Sequence, residues 1–278
     1  MPTFLRIILY PIVFILGLLA IVAAVLIAVL SLTYPNLPSL EILTDYRPKI
    51  PLQIFTADGY LLGEFGEERR ALVNIQDVPP VMKQAILAAE DERFYQHHGV
   101  DSQGILRALF ANVTGGGKRQ GASTITQQVA KNFFLSSEKT YTRKLYEALL
   151  SFKIENNLSK DQILELYINQ IYLGQHAYGF AAASHTYFGK PLAELSLAEI
   201  AMLAGLPKAP SANNPVVNPK RARARQQYVL NRMLELGFIT QKEHSQAVEQ
   251  PLVIKRDIDQ APVHAEYVTE MARQLAAE

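Results

Sequence analysis

A carboxylate at the end of an apolar helix is the first group in this chain that could do acid–base chemistry. Glu90 follows a stripe of Val81, Ala85, Ile86 and Ala89 at helical spacing. A carboxylate that shares a face with such a stripe is partly withdrawn from water, which raises its pKa and suits it to accept a proton near neutral pH. Charges at a helix end are often simply solvated, so the spacing alone leaves both interpretations open.

A polar ridge on a predicted helix over residues 122–133 could bind an anion. Thr124, Gln127, Gln128 and Lys131 recur there at i, i+3, i+4 and i+7. Amides and one ammonium along a single face suit a pyrophosphate or the hydroxyls of a sugar. An exposed amphipathic helix would show the same pattern, so this alternative also stays open.

Two further groups of charges are less specific. Arg143, Lys144 and Glu147 supply two cations and a carboxylate, but Arg143 and Glu147 are four residues apart, as in an ordinary ion pair on a helix surface. Residues 221–225 alternate arginine and alanine. They could bind a phosphate or a lipid headgroup, or they could be a solvated helix face.

Composition excludes several classes of function. The 278 residues carry a net charge of +1 and no cysteine, so no bulk field attracts nucleic acid and thiolate chemistry is ruled out. Residues 115–118 resemble a phosphate-binding loop but lack its full spacing, which gives no support to nucleotide binding. No set of His, Asp and Glu residues has the spacing of metal ligands.

The N-terminal segment predicts a membrane anchor. Residues 7–30 contain no charged side chain and would extend about 36 Å as a helix, which exceeds a hydrocarbon core of about 30 Å. Arg6 precedes the segment and the next basic residue is Arg47. The positive-inside rule then places the N-terminus in the cytoplasm and the rest of the chain outside.

The remaining pattern predicts a mainly α protein with a small β element. Asp58-Gly59 between apolar runs indicates a hairpin over residues 52–65, and a strand over residues 252–256 is expected to pair with it. Prolines between residues 31 and 50 indicate an extended stalk. Helices are expected over residues 81–89, 101–113, 122–133, 139–156 and 219–235. Capping boxes predict further helix starts at Ser159 with Gln162, Ser196 with Glu199 and Thr240 with Glu243.

Five ordered motifs resemble the peptidoglycan glycosyltransferase module of class A penicillin-binding proteins, the N-terminal part of a bifunctional enzyme. No motif position departs from the family pattern. The residues that carry the resemblance are Glu90, Asp91, Phe94, His97 and Gly99; residues 121–132; Arg143, Lys144 and Glu147; Lys160, Ile163, Leu164, Tyr167 and Asn169; and Arg223, Arg225, Val229, Leu230, Arg232 and Met233.

The resemblance implies a lysozyme-like lobe, a smaller membrane-proximal jaw lobe and a cleft between them. It also implies a single-pass protein of the bacterial inner (cytoplasmic) membrane with an extracytoplasmic catalytic domain. The expected divisions are a cytoplasmic tail (1–6), a transmembrane helix (7–32), a stalk with the β hairpin (33–75), the glycosyltransferase domain (76–250) and the start of a linker toward a transpeptidase domain (251–278). Such a chain would make glycan strands without crosslinking peptides or binding penicillin.

The implied substrate is lipid II, and the implied general base is Glu90. Glu90 would take the proton from the 4-hydroxyl of the acceptor, which attacks the anomeric carbon of the donor with inversion and releases undecaprenyl pyrophosphate. By the same resemblance, the leaving pyrophosphate would be held by Lys131, Arg143 and Arg107, with positioning by Thr124 and Gln128.

The resemblance also implies a second catalytic carboxylate, Glu147. This residue would either hold Arg143 and Lys131 in place or help to bind a divalent ion such as Mg²⁺ or Mn²⁺, and the sequence leaves both open. No cofactor is otherwise required. The remaining residues implied to bind substrate are Asp91, Phe94, His97, Ser123, Gln127, Asn132 and Lys144.

The implied partners are lipid II, the growing glycan strand, the lipid bilayer and other proteins of cell-wall synthesis. The glycine-rich segment 114–120, with residues 133–135 downstream, is expected to form a mobile jaw that contacts the membrane. Two alternatives stay open. A lytic muramidase would share the fold and one catalytic glutamate but would have no use for a cationic pyrophosphate site. An inactive membrane-anchored scaffold would not need Glu90, Lys131 and Glu147.

Overall fold

The computed structural model describes residues 3–44, 52–58, 61–65, 68–114, 123–135, 140–255 and 270–271. Within these ranges the fold is mainly helical, as the sequence predicts. The helices are α1 (Thr3–Thr33), α2 (Glu41–Thr44), α3 (Pro80–Glu90), α4 (Ser102–Thr114), α5 (Ile125–Phe134), α6 (Tyr141–Glu155), α7 (Lys160–Gln170), α8 (Phe180–Phe188), α9 (Leu197–Gly205), α10 (Pro219–Glu235) and α11 (Gln241–Glu249).

Helix α1 occupies the position of the predicted anchor. Across the residues described above, no helix combines the length and the apolar character needed to cross a membrane. The transmembrane helix over residues 7–32 and its orientation stay predictions.

Helix α9 forms the centre of the fold and is buried on every side. All of its residues from Ala198 to Gly205 are buried, and α3 and α10 pack against it and against each other. Alanines at positions 198, 201 and 204 place only small side chains between the helices, so the neighbouring helices approach closely. This packing fixes the end of α3 relative to α10, and both elements carry residues of the site described below.

The predicted capping boxes are present. The side chains of Ser159, Ser196 and Thr240 each accept a hydrogen bond from the amide three residues later and begin α7, α9 and α11, respectively. These bonds satisfy amides that have no partner within the first helical turn.

A further capping box, which the sequence analysis missed, begins α5. Thr124 Oγ1 accepts a hydrogen bond from Gln127 N at 3.2 Å, and Gln127 Oε1 accepts one from Thr124 N at 3.1 Å. The same Thr124 hydroxyl donates to Gly99 O at 2.6 Å. Both side chains are buried. Thr124 and Gln127 therefore begin the helix and tie it to the preceding loop, so Gln128 and Lys131 are the residues of the predicted ridge that take no part in capping.

The predicted stalk packs against the helical body where the structure describes it. Leu37 and Leu43 are buried, and Lys153 Nζ donates to Pro38 O at 2.8 Å. The prediction of an extended stalk is wrong over this part because the helical body covers the two leucines. Burying their apolar surface stabilises the packed arrangement, and an extended stalk would leave that surface in water. Residues 45–50 lie outside the described ranges.

The predicted hairpin is confirmed in β1 (Leu52–Phe55) and β2 (Leu61–Phe65), which pair antiparallel. A second pair was not anticipated: β3 (Arg69–Arg70) runs parallel to β4 (Ala177–Tyr178). Each of these two strands contains two residues, which is too short for an alternating pattern to be read from the sequence.

The segment after β3 is fastened to α7 by side chains. Asn169 Oδ1 accepts from Val73 N at 3.0 Å, and Asn169 Nδ2 donates to Val73 O at 2.9 Å. Glu165 Oε2 accepts from Ile75 N at 2.7 Å. These bonds satisfy backbone groups that have no strand partner, and they set where the chain enters α3.

The strand predicted near the C-terminus does not form. Residues 251–255 have no regular secondary structure, and Leu252 and Ile254 pack against the helical core. Lys255 N donates to Tyr187 O at 2.8 Å. The alternating apolar side chains are thus covered by the body of the protein, and no pairing with the hairpin is needed to bury them.

Replacing the α5 cap should destabilise the fold measurably. Thr124→Ala is expected to lower the free energy of unfolding by about 2 kcal/mol, because it removes a helix cap and leaves the buried Gly99 carbonyl short of a donor. Ser159→Ala removes a comparable cap from an exposed site and should cost about 1 kcal/mol. Denaturant melts of the two variants give the comparison. Equal losses would mean that the bond to Gly99 contributes nothing.

Candidate active site

A cavity of about 710 Å³ lies between the C-terminal end of α3, α4, α5, α6 and α10. It collects residues that are far apart in the chain. The predicted site residues that line it are Glu90, Asp91, Arg107, Ser123, Thr124, Gln127, Gln128, Lys131, Arg143, Lys144 and Glu147. Phe94, His97 and Asn132 are not among its lining residues.

Glu90 is a largely buried carboxylate that lines the cavity. Its Oε2 accepts a hydrogen bond from Gln128 Nε2 at 2.9 Å. Its Oε1 lies 3.8 Å from Arg225 Nη2 and has no hydrogen-bond partner among the described residues. The side chain is 11% exposed. One oxygen is thus held in place while the other retains its full capacity to accept a proton.

Burial raises the pKa of Glu90 above its ordinary value of 4.5. The hydrogen bond from Gln128 and the charges of Arg225 and Lys208 oppose this rise, and neighbouring Asp91 adds to it. The raised pKa has the cause that the sequence predicts, which is withdrawal of the carboxylate from water. A base of raised pKa is better matched to proton transfer near neutral pH.

Asp91, the next residue, joins two parts of the structure. Its Oδ2 accepts a hydrogen bond from Ile125 N at 3.1 Å and lies 3.0 Å from His97 Nε2. The carboxylate therefore sits at the N-terminus of α5, where the helix dipole favours negative charge. This contact fixes the start of α5, and with it Gln128, relative to Glu90.

Phe94 and His97 lie behind the cavity, which does not favour the direct substrate contact expected of them. Phe94 is fully buried, and Lys160 Nζ lies 4.4 Å from the centre of its ring. The side chain of His97 is 4% exposed and is paired with Asp91. Both residues support the turn after α3 from the core side.

Glu147 holds cations, though not the pair that the sequence suggests. Its carboxylate is buried and accepts hydrogen bonds from Arg143 and from Lys144 Nζ, the latter at 2.7 Å. Lys144 Nζ also donates to Ser123 Oγ at 2.8 Å. Lys131 was expected as its second partner, but the helical spacing of three and four residues brings Lys144 and Arg143 to the carboxylate instead.

Lys131 stands apart from this network. It is exposed, lines the cavity and forms no hydrogen bond or ion pair with the described residues. An ammonium that is not neutralised by a protein carboxylate retains its capacity to bind an anionic ligand.

The residues present do not fit a divalent metal ion. Both oxygens of Glu147 accept hydrogen bonds from cationic side chains, and these two positive charges disfavour a divalent cation at the same carboxylate. Within the described ranges, no group of three or more His, Cys, Asp or Glu residues could hold a metal. Of the two roles that the sequence leaves open for Glu147, the geometry supports the orientation of cations.

Arg225 belongs to the arginine patch and to a family motif, but its place in the cavity beside Glu90 does not follow from the sequence. It lies on α10 with its guanidinium 4.4 Å from the centre of the Tyr228 ring, and its Nε donates to Gly205 O at 3.3 Å. A Cβ at position 205 would lie 2.9 Å from Arg225 Cγ, so glycine leaves room for the arginine. These contacts hold Arg225 near Glu90 without closing a direct hydrogen bond.

The arginine patch over residues 221–225 divides between three environments. Arg221 Nε donates to Asn213 Oδ1 at 3.2 Å, and Arg223 Nη2 donates to Val248 O at 2.7 Å, while Arg225 lines the cavity. Residues two apart on a helix point in directions about 200° apart. This spacing separates Arg223 from the other two arginines, whereas Arg221 and Arg225, four residues apart, share a face of the helix and differ in what they contact.

Comparison with known proteins relates the chain to enzymes of cell-wall synthesis. A family model described as Transglycosylase matches residues 58–234. Penicillin-binding protein 1A of Neisseria cinerea is 59% identical over 253 residues, which cover 91% of this chain and 32% of that protein. Penicillin-binding protein 1A of Neisseria flavescens is 58% identical over 257 residues, which cover 92% of this chain and 32% of that protein. This chain therefore spans about a third of the length of these relatives.

A crystal structure of penicillin-binding protein 1A from Haemophilus influenzae also matches, with 34% sequence identity and a TM-score of 0.48. The match covers 82% of this chain and 24% of that chain. The domain boundaries drawn from the sequence stay predictions.

The buried carboxylate should lower stability at neutral pH. Because burial raises the pKa of Glu90, the folded state binds its proton more tightly than the unfolded state. That contribution to stability is full below the unfolded pKa and is lost as the pH rises through the folded pKa. Glu90→Gln should therefore raise the free energy of unfolding at pH 7, by roughly 1.4 kcal/mol for every pH unit between the two pKa values.

Denaturant melts between about pH 4 and pH 8 test this sign. Glu199→Gln is the control of opposite sign: burial raises the pKa of Glu199, but hydrogen bonds from Lys190 and Ser196 outweigh burial and leave the pKa lowered. That variant should lose stability at neutral pH. A destabilised Glu90→Gln protein at pH 7 would contradict the account of burial.

Proposed function

We propose that this chain, which belongs to the transglycosylase family, polymerises lipid II into the β-1,4-linked glycan strands of peptidoglycan. Family membership makes it a glycosyltransferase. The lipid-linked substrate, the inversion of configuration and the release of undecaprenyl pyrophosphate belong to the proposal. The observation that carries it is a buried carboxylate with a free oxygen in a cavity lined by cations from several helices.

Glu90 is the general base in this proposal. Its Oε1 has no hydrogen-bond partner among the described residues and takes the proton of the acceptor 4-hydroxyl. The hydroxyl oxygen bonds to the anomeric carbon of the donor as the bond from that carbon to the pyrophosphate oxygen breaks, and the electron pair leaves with the pyrophosphate. Attack from the face opposite the α-linked leaving group gives a β linkage, so configuration inverts.

The leaving pyrophosphate is stabilised by the cations of α5 and α6. Lys131 is not neutralised by a described residue, and Arg143 is oriented by Glu147. Charges that are already in place when negative charge develops on the leaving group need not reorganise during the reaction, and this is the main source of their effect. Gln128 orients the proposed base through its hydrogen bond to Glu90. In this proposal it positions Glu90 rather than the pyrophosphate.

The geometry favours synthesis over lytic cleavage. A retaining hydrolase needs a second carboxylate as its nucleophile about 5 Å from the acid. Glu147, the second carboxylate expected from the sequence, is held by Arg143 and Lys144, which makes it a poor nucleophile. The cations of α5 and α6 serve a pyrophosphate but have no role in hydrolysis. An inactive scaffold would gain nothing from a base with a raised pKa.

Contact with the outer face of the cytoplasmic membrane is part of the proposal, because the lipid tails of donor and product remain in the bilayer. An apolar surface on α4 supports it: the exposed side chains are Ile105, Leu106, Leu109 and Phe110. These residues lead toward the glycine-rich segment 114–120 that the sequence analysis selected as the jaw. Residues 115–120 lie outside the described ranges. Phe133, Phe134 and Leu135, which the same prediction includes, are partly buried against the helical core, so membrane contact by the glycine-rich segment stays a prediction.

Incubation of the protein with lipid II in detergent tests the proposed function against both alternatives. Long glycan strands on a gel are the expected product. Shortening of isolated cell-wall sacculi would instead identify a lytic enzyme. Absence of both activities would favour a scaffold.

Glu90→Gln should abolish this polymerisation, because the amide cannot take up the proton of the acceptor hydroxyl. A loss of about 10³-fold in kcat is expected for a positioned base. Glu194→Gln, the same change at an exposed glutamate, is the control and should polymerise normally. Substantial chain growth by Glu90→Gln would remove Glu90 from the central role.

Lys131→Ala should weaken use of the donor. Removing one charge from the pyrophosphate site is expected to lower kcat/KM by about 10²-fold. Lys242→Ala, at an exposed position on α11, provides the matched control and should leave kcat/KM unchanged. If the two variants turn over lipid II equally well, the pyrophosphate is bound elsewhere.

A further inference from the structure

Helix α4 is weakly attached to the body through apolar contacts. Among the α4 side chains that the structure describes, the buried positions are Gly104 and Ala108, while the large apolar residues are exposed. Glycine and alanine bury little surface, so they contribute little to fixing the helix. Because α4 forms one wall of the cavity, other interactions must set its position.

Polar contacts supply these interactions at two levels of the helix. At its start, Arg93 donates to Gln103 and lies 3.8 Å from Asp101 Oδ1. One turn further along, Arg107 is ion-paired with Glu92. The second contact joins α4 to the turn after α3, to which Glu92 belongs, and both of its residues line the cavity.

Glu92 also binds an arginine from the opposite wall. Its Oε1 accepts from Arg107 of α4, and its Oε2 accepts from Arg232 of α10. Glu92 is 15% exposed, and Arg107 and Arg232 are 52% and 28% exposed. All three residues line the cavity. A single carboxylate thus bridges two guanidinium groups that would otherwise repel each other.

We propose that Glu92 is a positioning residue that fixes α4 relative to α10 and thereby places Arg107 for the anionic part of the substrate. The substrate half of this statement rests on the proposed function, whereas the position of α4 does not. An exposed ion pair contributes little to stability. The Glu92 bridge differs because its carboxylate is largely shielded and binds both guanidinium groups at once. Its loss leaves Arg107 without its carboxylate partner and removes the group that joins α4 to α10.

The absence of cysteine from the chain allows a direct measurement of this geometry. Paired spin labels at Leu106→Cys on α4 and Gln227→Cys on α10, both exposed positions, report the distance between the two helices. The wild-type background should give one narrow distance distribution. Glu92→Gln should broaden it and shift it to longer distances. An unchanged distribution would overturn the proposal.

Glu235→Gln is the matched control. Glu235 also pairs with Arg232, but it lies on the same helix, and its contact does not involve Arg107. The same loss of one charge at Glu235 should leave the distribution narrow. Arg107→Gln, which breaks the bridge from the α4 side, should broaden the distribution as Glu92→Gln does. Broadening in the Glu235 variant alone would also overturn the proposal.

Kinetics separate a positioning role from a general loss of structure. Glu92→Gln should raise KM for lipid II by about fivefold and change kcat by less than about twofold, because the contacts of Glu90 with Gln128 and of Arg143 with Glu147 do not involve Glu92. An unchanged KM together with a broadened distance distribution would show that Arg107 does not bind the substrate. That result would overturn the part of the proposal that concerns the substrate. If wild-type protein fails to polymerise lipid II, the proposed function fails while the distance measurement still decides the position of α4.

Discussion

Burial of the Glu90 carboxylate is the constraint around which the site is built. A base must be shielded enough to hold a proton near neutral pH, yet it must keep a free lone pair. The fold meets both conditions with a neutral donor, Gln128, on one oxygen and a cation on the other side at 3.8 Å. A close ion pair with Arg225 would lower the pKa of Glu90 and weaken its proton affinity. The stack on Tyr228 and the bond to Gly205 hold that arginine at its intermediate distance.

Three consecutive carboxylates at the end of α3 do three different tasks. Glu90 lines the cavity with one oxygen free, Asp91 binds the first amide of α5, and Glu92 binds arginines from two helices. The helix ends at Glu90, so the following residues leave the helical path and reach in other directions. Each residue of this acidic run therefore has its own role. Glu90 is the proposed base, Asp91 connects the end of α3 to α5, and Glu92 connects α4 to α10.

Much of the fold follows from local patterns, and the exceptions have physical causes. Helix positions and capping boxes agree with the sequence because both are set within a few residues. The resemblance to the glycosyltransferase module of class A penicillin-binding proteins is confirmed by the family match. The C-terminal strand was wrong because alternating apolar residues show that a surface must be covered, but not what covers it. The spacing of three residues already brings Lys144 to Glu147. The place of Arg225 beside Glu90 could not be predicted, because residue spacing does not encode contacts between distant parts of the chain. The Thr124–Gln127 box was present in the sequence but was read as part of a ligand-binding face.

The attachment of the segment before α3 has a mechanical consequence. On its way from α1 to the site, the chain is bound first through Leu37 and Leu43, then through the β3–β4 pair and the bonds from Asn169 to Val73. A pulling force on the N-terminal segment would therefore pass into α6, α7 and β4 before it reached α3. Bonds between parallel strands share such a load, because they must break together when the strands slide. The position of Glu90 is thus insulated from tension applied to the N-terminal segment.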